Sequence, residues 1–128
     1  MYIRYQSAVP NRRGSFPGVF ALANGLAHRG RLSKDDWEWW RCTNDYTNTL
    51  YTDPATVDSR VFDDRSARSW FKGGGRMELR ETTLAYLRLL DRYAVPWVEL
   101  RTSNPGHIIY SDDDQVVAVP YSHADWAL

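Results

Sequence analysis

MELRETTLAYLRLLDRYA, residues 77–94, and PWVELRTSNPGHIIYSDDDQVVAV, residues 96–119, decide the fold class when they are read together. In the first stretch Leu79, Leu84, Leu87, Leu90 and Ala94 give an apolar side, while Glu78, Arg80, Glu81, Arg88, Asp91 and Arg92 give a charged one. That pattern, carried by good helix formers, predicts an amphipathic helix. Pro96 follows it as a breaker. Beyond the proline, Trp97 to Thr102 alternates as a strand, Asn104-Pro105-Gly106 makes a turn, and His107 to Ser111 with Gln115 to Val119 flank Asp112 to Asp114 as a hairpin.

Upstream, Gly73, Gly74 and Gly75 form a hard break, preceded by a short predicted helix from Ser66 to Phe71 and an irregular stretch from Thr52 to Asp64. Ser33 suits a helix N-cap, with Asp35 and Asp36 in the first turn and Leu32 able to pack on Trp37, so a helix runs from about Lys34 towards Tyr51. A shorter helix begins near Pro17, with Ser15 or Phe16 at its cap, places Val19, Leu22, Ala23 and Leu26 on one side, and closes at Gly30. Tyr2 to Ser7 reads as a first strand. Residues 1–128 therefore form a single α+β domain: an N-terminal strand, a helical hairpin and a long third helix packed on one face of a small, mainly antiparallel sheet completed by three C-terminal strands.

Composition excludes several classes. Hydrophobic residues make up 43% of the 128 and charged residues 25%, which suits a folded chain and not a disordered or collagen-like one. No apolar run approaches the roughly 20 residues that span a bilayer, and MYIRYQSAVPNRRG lacks the pattern of a secretory signal, so the expectation is a cytoplasmic protein without membrane contact. Cys42 is the single cysteine, and it lies inside a helix, where a packed, inert thiol is expected. Clustered zinc ligands and a cofactor motif are missing, so no metal or cofactor is expected.

The formal net charge is zero, yet the sign alternates in blocks: +6 over residues 1–34, −6 over 35–64, +4 over 65–101 and −4 over 102–128. Facing blocks that cancel at the surface are the favoured explanation, ahead of a basic patch for an anionic partner. Fourteen of the sixteen bases are Arg, the side chain that forks onto carboxylate or phosphate.

Four features carry candidate chemistry. Lys72, Gly73, Gly74, Gly75 and Arg76 lead into the helix at Met77 and form a candidate anion seat, although neither a Walker loop nor a dinucleotide fingerprint is present. Asp112, Asp113 and Asp114 read as a solvated hairpin tip, because three adjacent carboxylates do not converge on one ion. His28, His107 and His123 are scattered, with His107 kept as a candidate acid or base and His28 as a helix-end residue. Trp37 and Trp40 share a helix side that Trp39 does not, so at least one indole has to stay partly exposed unless the 52–64 segment covers Trp39. Asn44 to Thr49 are middling to poor helix formers placed where that helix should continue, a local inconsistency of the kind found at functional sites or frayed ends.

FPGVFALANGLA (residues 16–27) with GRLS (30–33), PGHIIY (105–110) and QVVAVP (115–120) resembles small uncharacterised proteins of actinobacteria and their phages. That resemblance implies no particular activity. The closing strands are similar to those of histidine-triad hydrolases, but the His-x-His-x-His motif is missing and removes that reading.

The sequence thus points to a small intracellular binding protein without catalysis, acting on another protein through an aromatic and charged surface that includes Arg12, Arg13, Trp39 and Tyr46. One alternative is an enzyme or sensor for a phosphorylated small molecule held at the glycine run. A weaker one is nucleic-acid binding by residues 1–34, which lack any recognised module.

Overall fold

Tyr2–Ser7 (β1) runs beside Trp97–Thr102 (β3) on one flank and Arg68–Lys72 (β2) on the other in the computed structural model, which describes residues 1–121. His107–Ser111 (β4) and Gln115–Val119 (β5) complete a five-stranded sheet of order β3-β1-β2-β5-β4, every pair of it antiparallel. The helices are Val19–His28 (α1), Lys34–Leu50 (α2), the one-turn Pro54–Val57 (α3) and Met77–Arg92 (α4). The architecture is α+β, with the helices packed on the sheet.

Register explains the layering. Ile3 pairs with Phe71 and Tyr5 with Glu99, so Tyr5 and Phe71 share one face of the sheet, and their rings meet there with centroids 6.4 Å apart. Phe20 of α1 adds an edge contact to Phe71 and another, at 4.9 Å, to Tyr86 of α4. Around these rings Val19, Ala23, Leu26, Trp40, Tyr86, Leu87, Leu89 and Leu90 form the main core. The opposite face buries Trp70, Val116 and Ala118 beside Tyr2 and Leu100. Val61 and Ala67 cover Val117 at the β5 end.

The helix ends follow from local chemistry. Ser33 caps α2 by accepting from the Asp36 amide at 3.1 Å, and Asp36 in turn accepts from the Tyr93 hydroxyl and from Arg92, tying the start of α2 to the end of α4. Hydrogen bonding by Tyr93, then by Arg92, holds the Asp36 carboxyl below its ordinary pKa. Gly30, at φ +67°, closes α1 with bonds from Gly30 to Ala27 and from Arg31 to Leu26, the paired pattern of a left-handed helix stop.

Four local expectations change. Residues 68–72 form β2 rather than part of a helix over 66–71, because pairing with both β1 and β5 overrides local propensity. α1 starts at Val19 with Gly18 as N-cap, later than Ser15 or Phe16. Leu84 is 48% exposed, while Thr83, Tyr86 and Leu89 take the buried positions of α4. Ala94 lies past the end of α4 at φ +55°, in the left-handed region that the stop requires, with bonds from Ala94 to Asp91 and from Val95 to Leu90.

Two substitutions test these backbone assignments in opposite directions. Ala94→Gly relieves a left-handed alanine and is expected to stabilise the chain by about 1 kcal/mol in urea unfolding. Gly106→Ala adds a Cβ at φ +119° that falls on the Val119 carbonyl oxygen, and roughly 2 kcal/mol or more of stability should be lost.

Candidate functional site

The residues expected to bind a partner occupy separate places. Arg12 and Arg13 sit in the exposed loop after β1, where Asn11 Oδ1 accepts from the Arg13 and Ser15 amides. Trp39 and Tyr46 are seven positions apart on α2 and so share a side, but Trp39 is half-buried with its ring 5.4 Å from Tyr86, whereas Tyr46 is exposed. The ring neighbour of Trp39 is thus on α4 and not in the 52–64 segment. Of the three indoles of α2 the most exposed is Trp37, at 43%, and Trp40 is buried with its Nε1 donating to Asn24 Oδ1 at 3.0 Å. Among the described residues no hydrogen bond, ion pair or ring contact joins the Arg12–Arg13 loop to α2. Cys42 is exposed rather than packed, since its position on α2 faces outward.

At the glycine run two of the three amides are already engaged. Gly73 N–H donates to the Met1 carbonyl and Gly75 N–H to the Lys72 carbonyl, both at 3.0 Å. Arg76 turns its backbone N–H, its Nε at 3.1 Å and its Nη2 at 2.7 Å onto the carboxylate of Asp114. The anion at the start of α4 is therefore the chain's own Asp114, which is buried and not part of a solvated tip. Hydrogen bonding from Arg76 holds its carboxyl below the ordinary carboxylate range. Asp112 is likewise occupied, accepting from the Asp114 and Gln115 amides and from the Tyr110 hydroxyl. An open groove of about 870 Å³ runs past these aspartates and Asp53, but Asp53 caps α3 by accepting from the Ala55 amide.

His107 pairs with Val119 at the far end of the β4–β5 hairpin from Asp114 and the glycines, so it does not converge with them. His28 packs edge-on to Trp40 at 6.0 Å. His123 lies outside the described residues. Among the described residues no group of three His, Cys, Asp or Glu side chains is placed to hold a metal ion, and no helix is long and apolar enough to cross a membrane.

Two concave regions flank the Tyr5–Phe71 ring pair, and both include those rings in their walls. The first, of about 720 Å³, lies over the end of β1 and along α4. Ile3, Leu79 and Leu84 give it an apolar floor, and Lys72, Arg76, Arg80 and Arg101 surround that floor with Asp114 as the one acid among the described residues. Arg101 is held to Glu99 at 2.8 Å in a pair more than a third exposed on both sides, and Arg80 bonds the Gly73 carbonyl. The second region, of about 520 Å³, lies among α1, α2 and β2 and reaches Arg4.

Local rules that fail in the sequence reappear here as walls. α2 continues through Asn44 to Thr49, with Thr47 Oγ1 donating back to the Thr43 carbonyl at 2.8 Å, and Asn44 and Asn48 line the second cavity. Comparison of the chain with family models, with curated proteins and with solved structures finds no match.

The Arg76–Asp114 contact makes a pH-dependent contribution of known sign. A carboxyl whose folded pKa is depressed adds stability above its unfolded value, near 3.9, and loses it as pH falls through the folded value. Asp114→Asn is expected to be less stable than the parent at neutral pH. The difference between the two urea midpoints should shrink as the solution is acidified below about pH 4.

Proposed function

We propose that the chain is a non-catalytic binding domain that takes an acidic, amphipathic segment of a partner protein in the cleft between β1 and α4. The observation that carries this reading is the coincidence of an apolar floor and a basic rim in one concave surface: Ile3, Leu79 and Leu84 below, Lys72, Arg76, Arg80 and Arg101 around them. Leu84 is the informative residue, because a leucine 48% exposed in the wall of this cleft has apolar area to give. The rim is also exchangeable. An exposed pair such as Arg101 with Glu99 contributes little by itself, so a partner carboxylate replaces it at small cost. Charge then sets encounter and register, while the floor supplies affinity.

This reading keeps binding to another protein but moves the surface from α2 to the cleft between β1 and α4. A phosphate seat built from the glycine amides is less favoured, because Asp114 already occupies the donors of Arg76. Nucleic-acid binding by the N-terminal block is less favoured too, since Arg4 is buried while Arg12 and Arg13 lie in a loop apart from Arg29, Arg31 and Lys34.

Fluorescence polarisation with two labelled peptides tests the proposal, one alternating Leu with Glu and one of the same length alternating Leu with Lys. The acidic peptide should bind and the basic one should not, with affinity falling as salt rises. Arg80→Glu combined with Arg101→Glu, and separately Leu84→Asp, are each expected to weaken the acidic peptide about tenfold or more. Equal binding of both peptides, or indifference to these substitutions, overturns it.

A further inference from the structure

Arg4 is where β1 changes neighbour. β1 pairs with β2 only at Tyr2–Lys72 and Ile3–Phe71. Further along, the same edge of β1 meets residues 17 and 18 instead, through a Gln6–Gly18 bridge and a 2.8 Å bond from the Ser7 amide to the Pro17 carbonyl. The guanidinium fills the gap that opens between, donating from Nε to Gln6 Oε1 at 2.8 Å, from Nη1 to the Ser69 carbonyl at 3.0 Å and from Nη2 to the Phe16 carbonyl at 3.1 Å.

All three acceptors are neutral. Among the described residues no carboxylate lies in ion-pair distance of Arg4, which is only 8% exposed. Burial presses its pKa down to about 9, still well above neutrality, so a full positive charge stands at the cavity wall at pH 7. Guanidinium carries five N–H donors, and the three bonds leave two unused. A buried cation without a counter-ion is costly, and a ligand anion that entered would relieve that cost.

The remaining walls define what accompanies the anion. Asn24 Oδ1 accepts from Trp40 Nε1, and Asn44 Oδ1 accepts from the Tyr86 hydroxyl at 3.3 Å, which leaves both side-chain NH₂ groups as donors. Phe20 and Phe71 supply flat apolar surface. Tyr51, whose pKa burial pushes up to about 12, stays a neutral phenol. Asp53, the one acid on the wall among the described residues, is engaged as the cap of α3. At about 520 Å³ the space suits a small molecule and not a polypeptide segment.

We infer that this cavity is a binding site for a small molecule with a carboxylate or phosphate group on a flat, apolar body, the anion meeting Arg4 and the body lying against Phe20 and Phe71. The site is separate from the cleft beside α4, and the inference does not rest on the peptide-binding reading.

Gly18 offers a direct test. A Cβ there would lie 3.4 Å from Arg4 Nη1 in ordinary contact, and its backbone, φ −75° and ψ 171°, is open to any residue. Gly18→Asp therefore supplies an internal carboxylate beside the guanidinium, while Gly18→Asn supplies the same shape without charge. Both residues are good N-caps for α1. The whole chain is titrated with benzoate and with phenyl phosphate, using benzamide as the neutral control, and the Asn24 and Asn44 side-chain amides are followed by NMR. Saturable shifts of those amides by at least one anionic probe are expected, with benzamide about tenfold weaker or worse. Gly18→Asp should bind the anions about tenfold more weakly than Gly18→Asn and melt at a higher temperature, because the two differ in charge and not in bulk. Absence of saturable shifts up to about 10 mM of both anions overturns the inference. So does equal binding of benzamide, or equal binding by the Asp variant. The shifts in the parent chain decide the matter even where a Gly18 variant does not fold. Binding at Asn24 and Asn44 that survives Arg80→Glu with Arg101→Glu separates this site from the cleft.

Discussion

The split between β1 and β2, held by one guanidinium, is the constraint on which the rest of the structure depends. β1 is an interior strand: it bonds β3 along its whole length on one side and divides its other side between β2 and the segment that enters α1. Arg4 closes that division by bonding to three pieces of chain at once, within β1 at Gln6, in β2 at Ser69 and before α1 at Phe16. A hydrophobic side chain there would fill space but could not satisfy carbonyls that point into the gap. The charge is the cost of that solution, and the cavity next to it is the consequence.

The frame of the fold was legible in the sequence because each element carries its own period and punctuation. α4 shows it in Leu79, Leu87 and Leu90, α2 in the Ser33 cap, and α1 in Gly30 at a left-handed stop. What local reading missed is what depends on partners distant in sequence. Arg68–Lys72 has a weak pattern of its own and becomes a strand because β1 and β5 offer it two edges. Leu84 satisfies the helical period as well as Tyr86 does, and only the position of the sheet sends one outward and the other to the core.

The sites were less legible, for a related reason. Arg4 sits in a six-residue strand between Ile3 and Tyr5, where alternation reads it as solvent-facing, and nothing local announces that its strand parts from a neighbour. Asp114 reads as a turn residue because its partner Arg76 is 38 positions away. Asn44 and Asn48 did leave a trace. A helix that keeps poor helix formers through Asn44–Thr49 spends intrinsic stability there, and those positions line the Arg4 cavity. Two residues of the glycine run have a geometric explanation instead: a Cβ at Gly73 would press on the Met1 carbonyl and one at Gly75 on the Lys72 carbonyl, each at 3.1 Å, so close backbone approach favours the missing side chain there, while Gly74 has open space around it.

The two concave regions share a wall, because Tyr5 and Phe71 belong to both. Their rings continue through Phe20 to Tyr86, and Tyr86 touches Trp39, so the aromatic core reaches from the basic cleft to α2 as one contact chain. A ring layer packed in this way is the partition between the two regions. The cavity on the Arg4 side lies where β1 parts from β2, and the cleft lies where Leu84 of α4 stays half exposed over the end of β1.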